Sequence, residues 1–318
     1  MINFRFHVVA VGAVVTAVVA GLVLGTLAMR GPVSAPARAS TAATDQRNTD
    51  LQAQVDLLTE RLSAGDELAS ELAPSLLAGR LAAHQVTVVT TPSASHDVAG
   101  VEAMLTAGGA VVAGRVELTD RFADPARRDD LLDLALASLP PGVAGGLPLV
   151  ADGVTATAAL LGAVLLRRTP AVPDGDIRSV LSAYVSQGFL TGGSGVSGAA
   201  DALVVLTGID PGDSAIAVLA AGLSGSGPIV AAGSVAGAGT VLGRLRSDTV
   251  TAAKISTVDN VNTPQGKLAA AWAVADQLAG RVGHYGEGEG ATAPLPPLTP
   301  PPSPRPPSPT PDPPSPPA

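Results

Sequence analysis

The segment Ser256-Thr257-Val258-Asp259-Asn260-Val261-Asn262-Thr263-Pro264-Gln265-Gly266-Lys267 is the richest polar stretch of the chain. Its hydroxyl, carboxylate and amide groups run from the end of an apolar strand into the start of a helix. Where strands alternate with helices, ligands gather at such strand ends. Ser256, Thr257, Asp259, Asn260, Thr263, Pro264 and Gly266 are therefore the candidate functional positions. The same residue types also build turns and helix caps, since Asp and Asn suit tight backbone, Thr caps a helix and Pro fits its first turn. A ligand site and a purely local structure compete for one segment.

No second stretch offers a reaction centre. Gly193-Ser194-Gly195-Val196-Ser197-Gly198 has the letters of a dinucleotide loop but precedes a predicted strand, whereas that fingerprint follows a strand and opens a helix. It reads as a flexible loop. Gly233 to Gly239 does follow a strand, but it lacks that spacing and any lysine, and reads as a mobile loop. There is no Gly-x-Ser-x-Gly elbow, P-loop or His-Glu-x-x-His. The four histidines, His7, His84, His96 and His284, are far apart in sequence. His96 adjoins Asp97, and neighbours in sequence are not expected to face each other as a catalytic pair must. Asp129, Asp130 and Asp133 share one helix and should face solvent.

The chain has no cysteine, and Met104 is its one methionine outside the initiator and the first apolar segment. Soft metal ions prefer sulfur ligands, so a tight sulfur-based metal cage within one protomer is not predicted. No catalytic residue, metal site or cofactor is assigned, and the chain is not expected to be an enzyme. A net charge of −8, with no basic patch beyond Arg127–Arg128 and Arg167–Arg168, argues against nucleic-acid binding.

The elements that would position the polar segment alternate. Strands are predicted at Gln85–Thr91, Ala110–Leu118, Ala202–Thr207, Pro228–Ala232 and Lys254–Val258. Helices are predicted at Asp97–Ala107 with Ser95 as cap, Asp124–Ser138, Asp152–Leu166 and Asp176–Gln187. A further helix ends near Leu223 after an Asp210-Pro211-Gly212 turn, and a long one runs from Thr263–Pro264 to Gly280. Apolar strands alternating with helices give an α/β fold with a Rossmann-like, mostly parallel sheet covered by helices.

This body, residues 84–286, is preceded by 1–30, a single transmembrane signal anchor. Val8–Met29 is 22 residues without a charge, about 33 Å as a helix, enough to cross a bilayer core. The run exceeds a cleaved signal's apolar region, so an uncleaved anchor is favoured. Gly21 and Gly25 form a Gly-xxx-Gly face for helix pairing. Residues 31–83 are a linker, Gly31–Thr44, and a helical stalk. There Leu51, Val55, Leu58 and Leu62 recur at coiled-coil spacing until Gly65 interrupts them. Residues 287–318 are a Pro-rich tail expected to be disordered, sampling extended polyproline II from Ala291 on. Membrane lipid, a homo-oligomer formed through the glycine face and the leucine seam, and envelope or cell-wall partners reached by the tail are the expected partners.

The apolar N-terminal segment, the LQAQVDLLTERL stalk, VTVVTTP, and ISTVDNVNTPQGK followed by GHYG resemble the mycobacterial copper transport protein B (MctB) family. The resemblance covers roughly residues 1–286, and the STVDN-xx-TP-x-G stretch is its most specific part. It implies a protein of the cell envelope tied to copper homeostasis, a copper efflux component or channel. With the anchor read from Val8–Met29, the bulk of the chain is expected outside the cytoplasm. Copper enters by this resemblance alone, and no catalytic residue comes with it. Two other readings stay open: a structural, partner-binding envelope protein unrelated to copper, and a small-ligand-binding α/β domain.

Overall fold

A computed structural model of the protein describes residues 35–143, 152–193, 195–208 and 214–297. The predicted anchor with Gly21 and Gly25, the Asp210–Gly212 turn and the tail beyond residue 297 lie outside them. Among the described residues no helix is long and apolar enough to cross a membrane. The chain divides into two units, Met1–Ala64 and Gly65–Ala318.

Helix α1 (Ala35–Leu77) has 43 residues and is about 65 Å long. It corrects two expectations. Residues 35–44, read as linker, are helical, because the N–H that Pro36 lacks has no intrahelical partner in a first turn. Gly65 does not end the helix, since one interior glycine costs only about 1 kcal/mol. The C-terminal turns of α1 bury Ala73 and Leu77 in the second unit.

That unit is mixed α/β. Its strands are β1 (Gln85–Thr90), β2 (Val111–Leu118), β3 (Leu190–Gly192), β4 (Ala202–Thr207), β5 (Ile229–Gly233), β6 (Ser256–Val258) and β7 (His284–Tyr285). They form one seven-stranded sheet in the order β3-β2-β1-β4-β5-β6-β7. Every pairing is parallel except β2 with β3. The five strands expected from sequence are all present. β3 and β7 were not expected, since two or three residues carry no periodicity.

The principal helices are α2 (Ser95–Ala107), α3 (Arg128–Ala137), α4 (Gly153–Leu165), α5 (Asp174–Ser186), α6 (Ser214–Leu223), α7 (Val241–Ser247) and α8 (Pro264–Leu278). The predicted helix from Asp124 is broken: Asp124 caps a 3-10 turn, Pro125–Arg127, before α3 begins. Ser95 is the first residue of α2 and makes no capping bond; the N-cap position belongs to Ala94.

Side chains alternate across the strands, so the sheet separates two cores. Val88, Val204 and Val230 join Val101, Leu268, Trp272 and Leu77 from α2, α8 and α1. Val89, Val205 and Ala231 join Leu131, Leu161, Ile177, Leu219 and Leu245 from α3 to α7. Alanines 269, 270, 271 and 273 let α8 lie close against the sheet.

The chain continues as structure past the expected boundary at 286. Thr292 N–H donates to the His284 carbonyl at 2.7 Å, Gly286 N–H donates to the Ala293 carbonyl at 3.0 Å, and Pro296 is buried. Residues 287–297 thus belong with the body, and only the residues beyond them keep the Pro-rich tail reading.

Candidate functional site

The polar segment lies at the carboxyl ends of β6 and β7, and its residues are organised by Arg246 from α7. The guanidinium donates from Nε to Thr257 Oγ1 at 2.7 Å and from Nη1 to Asp259 Oδ2 at 2.8 Å. It also donates to the carbonyls of Glu289 and Tyr285, at 2.9 and 2.8 Å. The Arg246 and Asp259 side chains are only 4% and 3% exposed, so the ion pair is withdrawn from water. Asp259 Oδ1 accepts from Glu287 N–H at 2.7 Å, and Gly288 N–H reaches both carboxylate oxygens at 3.1 Å. Both oxygens are satisfied, as a buried charge requires.

Thr257 Oγ1, accepting from Arg246, sits 2.9 Å from His284 Nδ1 and is placed to donate to it. A neutral imidazole suits that role. Burial, seconded by the Arg246 charge, holds the His284 pKa below its ordinary value against an opposing bond to the Ala252 backbone. Ser256 Oγ accepts from Gly283 N–H at 3.2 Å. The two sequence stretches ISTVDNVNTPQGK and GHYG are therefore neighbouring strands clasped by one arginine.

The remaining candidate positions turn the chain into α8. Asn260 adopts φ +62, the left-handed region that asparagine tolerates. Its carbonyl accepts from both the N–H and the hydroxyl of Thr263 at 2.9 Å. Thr263 Oγ1 accepts from Gly266 N–H at 3.0 Å, capping α8, with Pro264 at its first position. Gly266 is needed because a Cβ there would fall 2.0 Å from the Asn260 carbonyl. All seven candidate positions thus have a local structural task. One polar atom is left over: Asn260 Oδ1 is buried without a hydrogen-bond partner.

A second charged cluster was not expected. Asp97, in the first turn of α2, is buried, and Lys267 Nζ from α8 reaches its Oδ1 at 3.0 Å. The lysine stem lies over Gly100, where a Cβ would meet Lys267 Cε at 2.5 Å. His96 Nε2 stands 3.1 Å from Asp97 Oδ2, correcting the expectation that these neighbours cannot face each other. That contact is not aligned as a hydrogen bond, and Oδ2 has no hydrogen-bond partner. His96 itself is 67% exposed, so only one member of this trio opens widely to solvent.

The strand order reverses between β1 and β4, the usual ligand crevice of such sheets. Its described part is filled. Gly208 N–H donates to Thr91 Oγ1 at 3.3 Å, Thr91 Oγ1 is 3.0 Å from Ser93 Oγ, and a Cβ on Gly208 would lie 2.2 Å from Ser93 Oγ. The glycine loops are also engaged. Ser197 N–H donates to the Ala113 carbonyl at 2.8 Å, and Gly237 N–H donates to Thr240 Oγ1 at 3.1 Å. Asp129, Asp130 and Asp133 are exposed, with Asp130 paired to Arg121 and Arg127. Among the described residues no group of three or more His, Asp or Glu could hold a metal ion.

The family model described as "Copper transport outer membrane protein, MctB" matches residues 1–296. The chain belongs to the MctB family. Two of its relatives carry the name Copper transporter MctB. The Mycobacterium tuberculosis protein is 32% identical over 309 residues, and the Mycobacterium leprae protein 33% identical over 324. Each alignment covers 92% of this chain and 98% of the relative. The MctB match ends at Pro296, one residue before the last described residue and ten residues beyond the boundary read from sequence motifs.

Proposed function

We propose that this chain is a membrane-anchored protein of the cell envelope that contributes to copper homeostasis. Its α/β body lies outside the cytoplasm and acts as a scaffold or assembled component, not as a lone channel. The observation that carries this reading is the body's sheet, sealed on both faces by two cores of fully buried side chains. Among the described residues such a body offers copper no path through itself, and the Arg246–Asp259 cluster is committed to holding the fold. The names of the MctB relatives supply the link to copper. Val8–Met29 supplies the anchor. The reading gives the chain no catalytic step.

The test is a deletion strain grown across a copper series. Wild type should restore tolerance, and a form lacking residues 1–34 should be released from membranes and fail to do so. Full tolerance with the released form would overturn the anchored reading. A deletion strain as copper-tolerant as its parent would overturn the copper reading.

A second reading is favoured by the Pro-rich segment after residue 296, which lies outside the family match. There the chain is an envelope protein whose tail captures a wall or division partner. Removing residues 298–318 should then abolish localisation and leave copper tolerance intact, which quantitative imaging beside the same growth series would measure.

A further inference from the structure

Along α1, Leu51, Val55, Leu57, Leu58, Leu68 and Leu72 keep their large apolar side chains in solvent. Leu51 is 58% exposed, Val55 53%, Leu58 57% and Leu72 45%. A helix this long, largely exposed, gains little from packing, which is the usual source of helical stability. Because α1 runs unbroken through Gly65, the heptad does not stop there. Taking Leu51 as d, the core positions are Asn48, Leu51, Val55, Leu58, Leu62, Gly65, Ala69 and Leu72, a little over three heptads.

We propose that this seam is covered by the same seam of a second copy, in a parallel, in-register, two-stranded coiled coil. Three features choose this occupant. Val55 at a between leucines at d favours two strands. Asn48 falls at an a position, where it meets its own counterpart only in the parallel register. Reversed over the same seam, it would face Leu72. Arg61 at g and Asp66 at e of the following heptad complete opposite charges across a parallel seam. An antiparallel pairing of the same seam would set Arg61 near its own counterpart instead. The orientation, though not the seam, also rests on the anchor proposed above, because two chains held in one membrane emerge side by side in the same direction.

The absence of cysteine makes the test clean. Full-length protein carrying Leu58→Cys, at d, or Glu60→Cys, at the outer f position, is expressed in native membranes and oxidised mildly with diamide. The expected result is a disulfide dimer for Leu58→Cys at least fivefold more abundant than for Glu60→Cys. Adding Asp66→Arg to the Leu58→Cys chain should reduce the dimer severalfold, and adding Arg61→Asp as well should restore it. Equal yields at the two positions would overturn the proposal. So would Leu51→Cys chains that cross-link to Ala69→Cys chains more efficiently than to themselves, the antiparallel outcome. A trimeric mass by sedimentation in detergent would overturn the two-stranded form. Carbonate washing of the same membranes reports the anchor separately, so loss of the pairing and loss of the anchor are told apart.

Discussion

Asp97 and Asp259 are equally buried, each 2% exposed, and each is paired with a cation from a helix, Lys267 of α8 and Arg246 of α7. They differ in what surrounds the charge. Asp259 has both oxygens bonded by Arg246 and two backbone N–H groups, and the arginine spends its other donors on two carbonyls and a threonine. Asp97 has one lysine, one oxygen without a hydrogen bond and an exposed histidine nearby. The conspicuous sequence motif therefore marks the saturated cluster, whose work is holding β6, β7 and residues 286–290 together. The unsaturated cluster takes only its lysine, Lys267, from that motif, while Asp97 and His96 lie far outside it.

Breaking the saturated cluster should produce the largest effect. Asp259→Ala would leave Arg246 buried without its counter-charge, and should cost about 3–5 kcal/mol in urea unfolding. Replacing both partners with apolar residues should recover much of that loss. Gly286→Ala comes next: the residue sits at φ +120, and its Cβ would lie 2.1 Å from Asp259 Oδ1. Strain of that kind should cost about 2–3 kcal/mol, measured in the same way. Lys267→Met tests the looser cluster and should cost only about 1–2 kcal/mol, since it deprives Asp97 of its hydrogen-bonded partner.

The pH dependence should be smaller and should arise at the saturated side. His284 holds its proton less readily in the folded chain than its ordinary 6.5, because of burial and then Arg246. The unfolded chain therefore binds that proton first. Stability should be full above about pH 6.5 and decline below it, levelling off once the folded chain is protonated too. His284→Gln should flatten that part of the profile. His96→Ala should change stability least, by within about 0.5 kcal/mol, because the ring is exposed. A larger loss would mean that the Asp97 cluster is more closely coupled than its geometry suggests.

The architecture was legible wherever the chain repeats a period. β1, β2, β4, β5 and β6 are runs of β-branched and small apolar residues, and Thr263-Pro264 announces α8 by its capping chemistry. β3 and β7 were not legible, since pairing with an existing edge, not their own pattern, makes them strands. The extent of α1 is not legible from local composition, since a long helix absorbs the cost of Gly65 and of the Pro, Ala and Ser at its start. At the strand ends, Asp259 and Thr257 stood out by type, but Arg246 is thirteen residues away from Asp259 on a short helix. Lys267 and Asp97 are 170 residues apart, and no local spacing connects them. GHYG, which the sequence ties to the polar segment only through the family resemblance, is in the fold its neighbouring strand.

The return of the chain beside β7 affects how this protein should be trimmed. β7 is the last strand of the sheet, and Gly286–Ala293 and His284–Thr292 bonds occupy its outer side. A shortened version stopping at Glu287 would uncover that strand's free donors and acceptors, an invitation to sticky strand-to-strand assembly. One stopping after Pro297 would keep the selvedge of the fabric sewn.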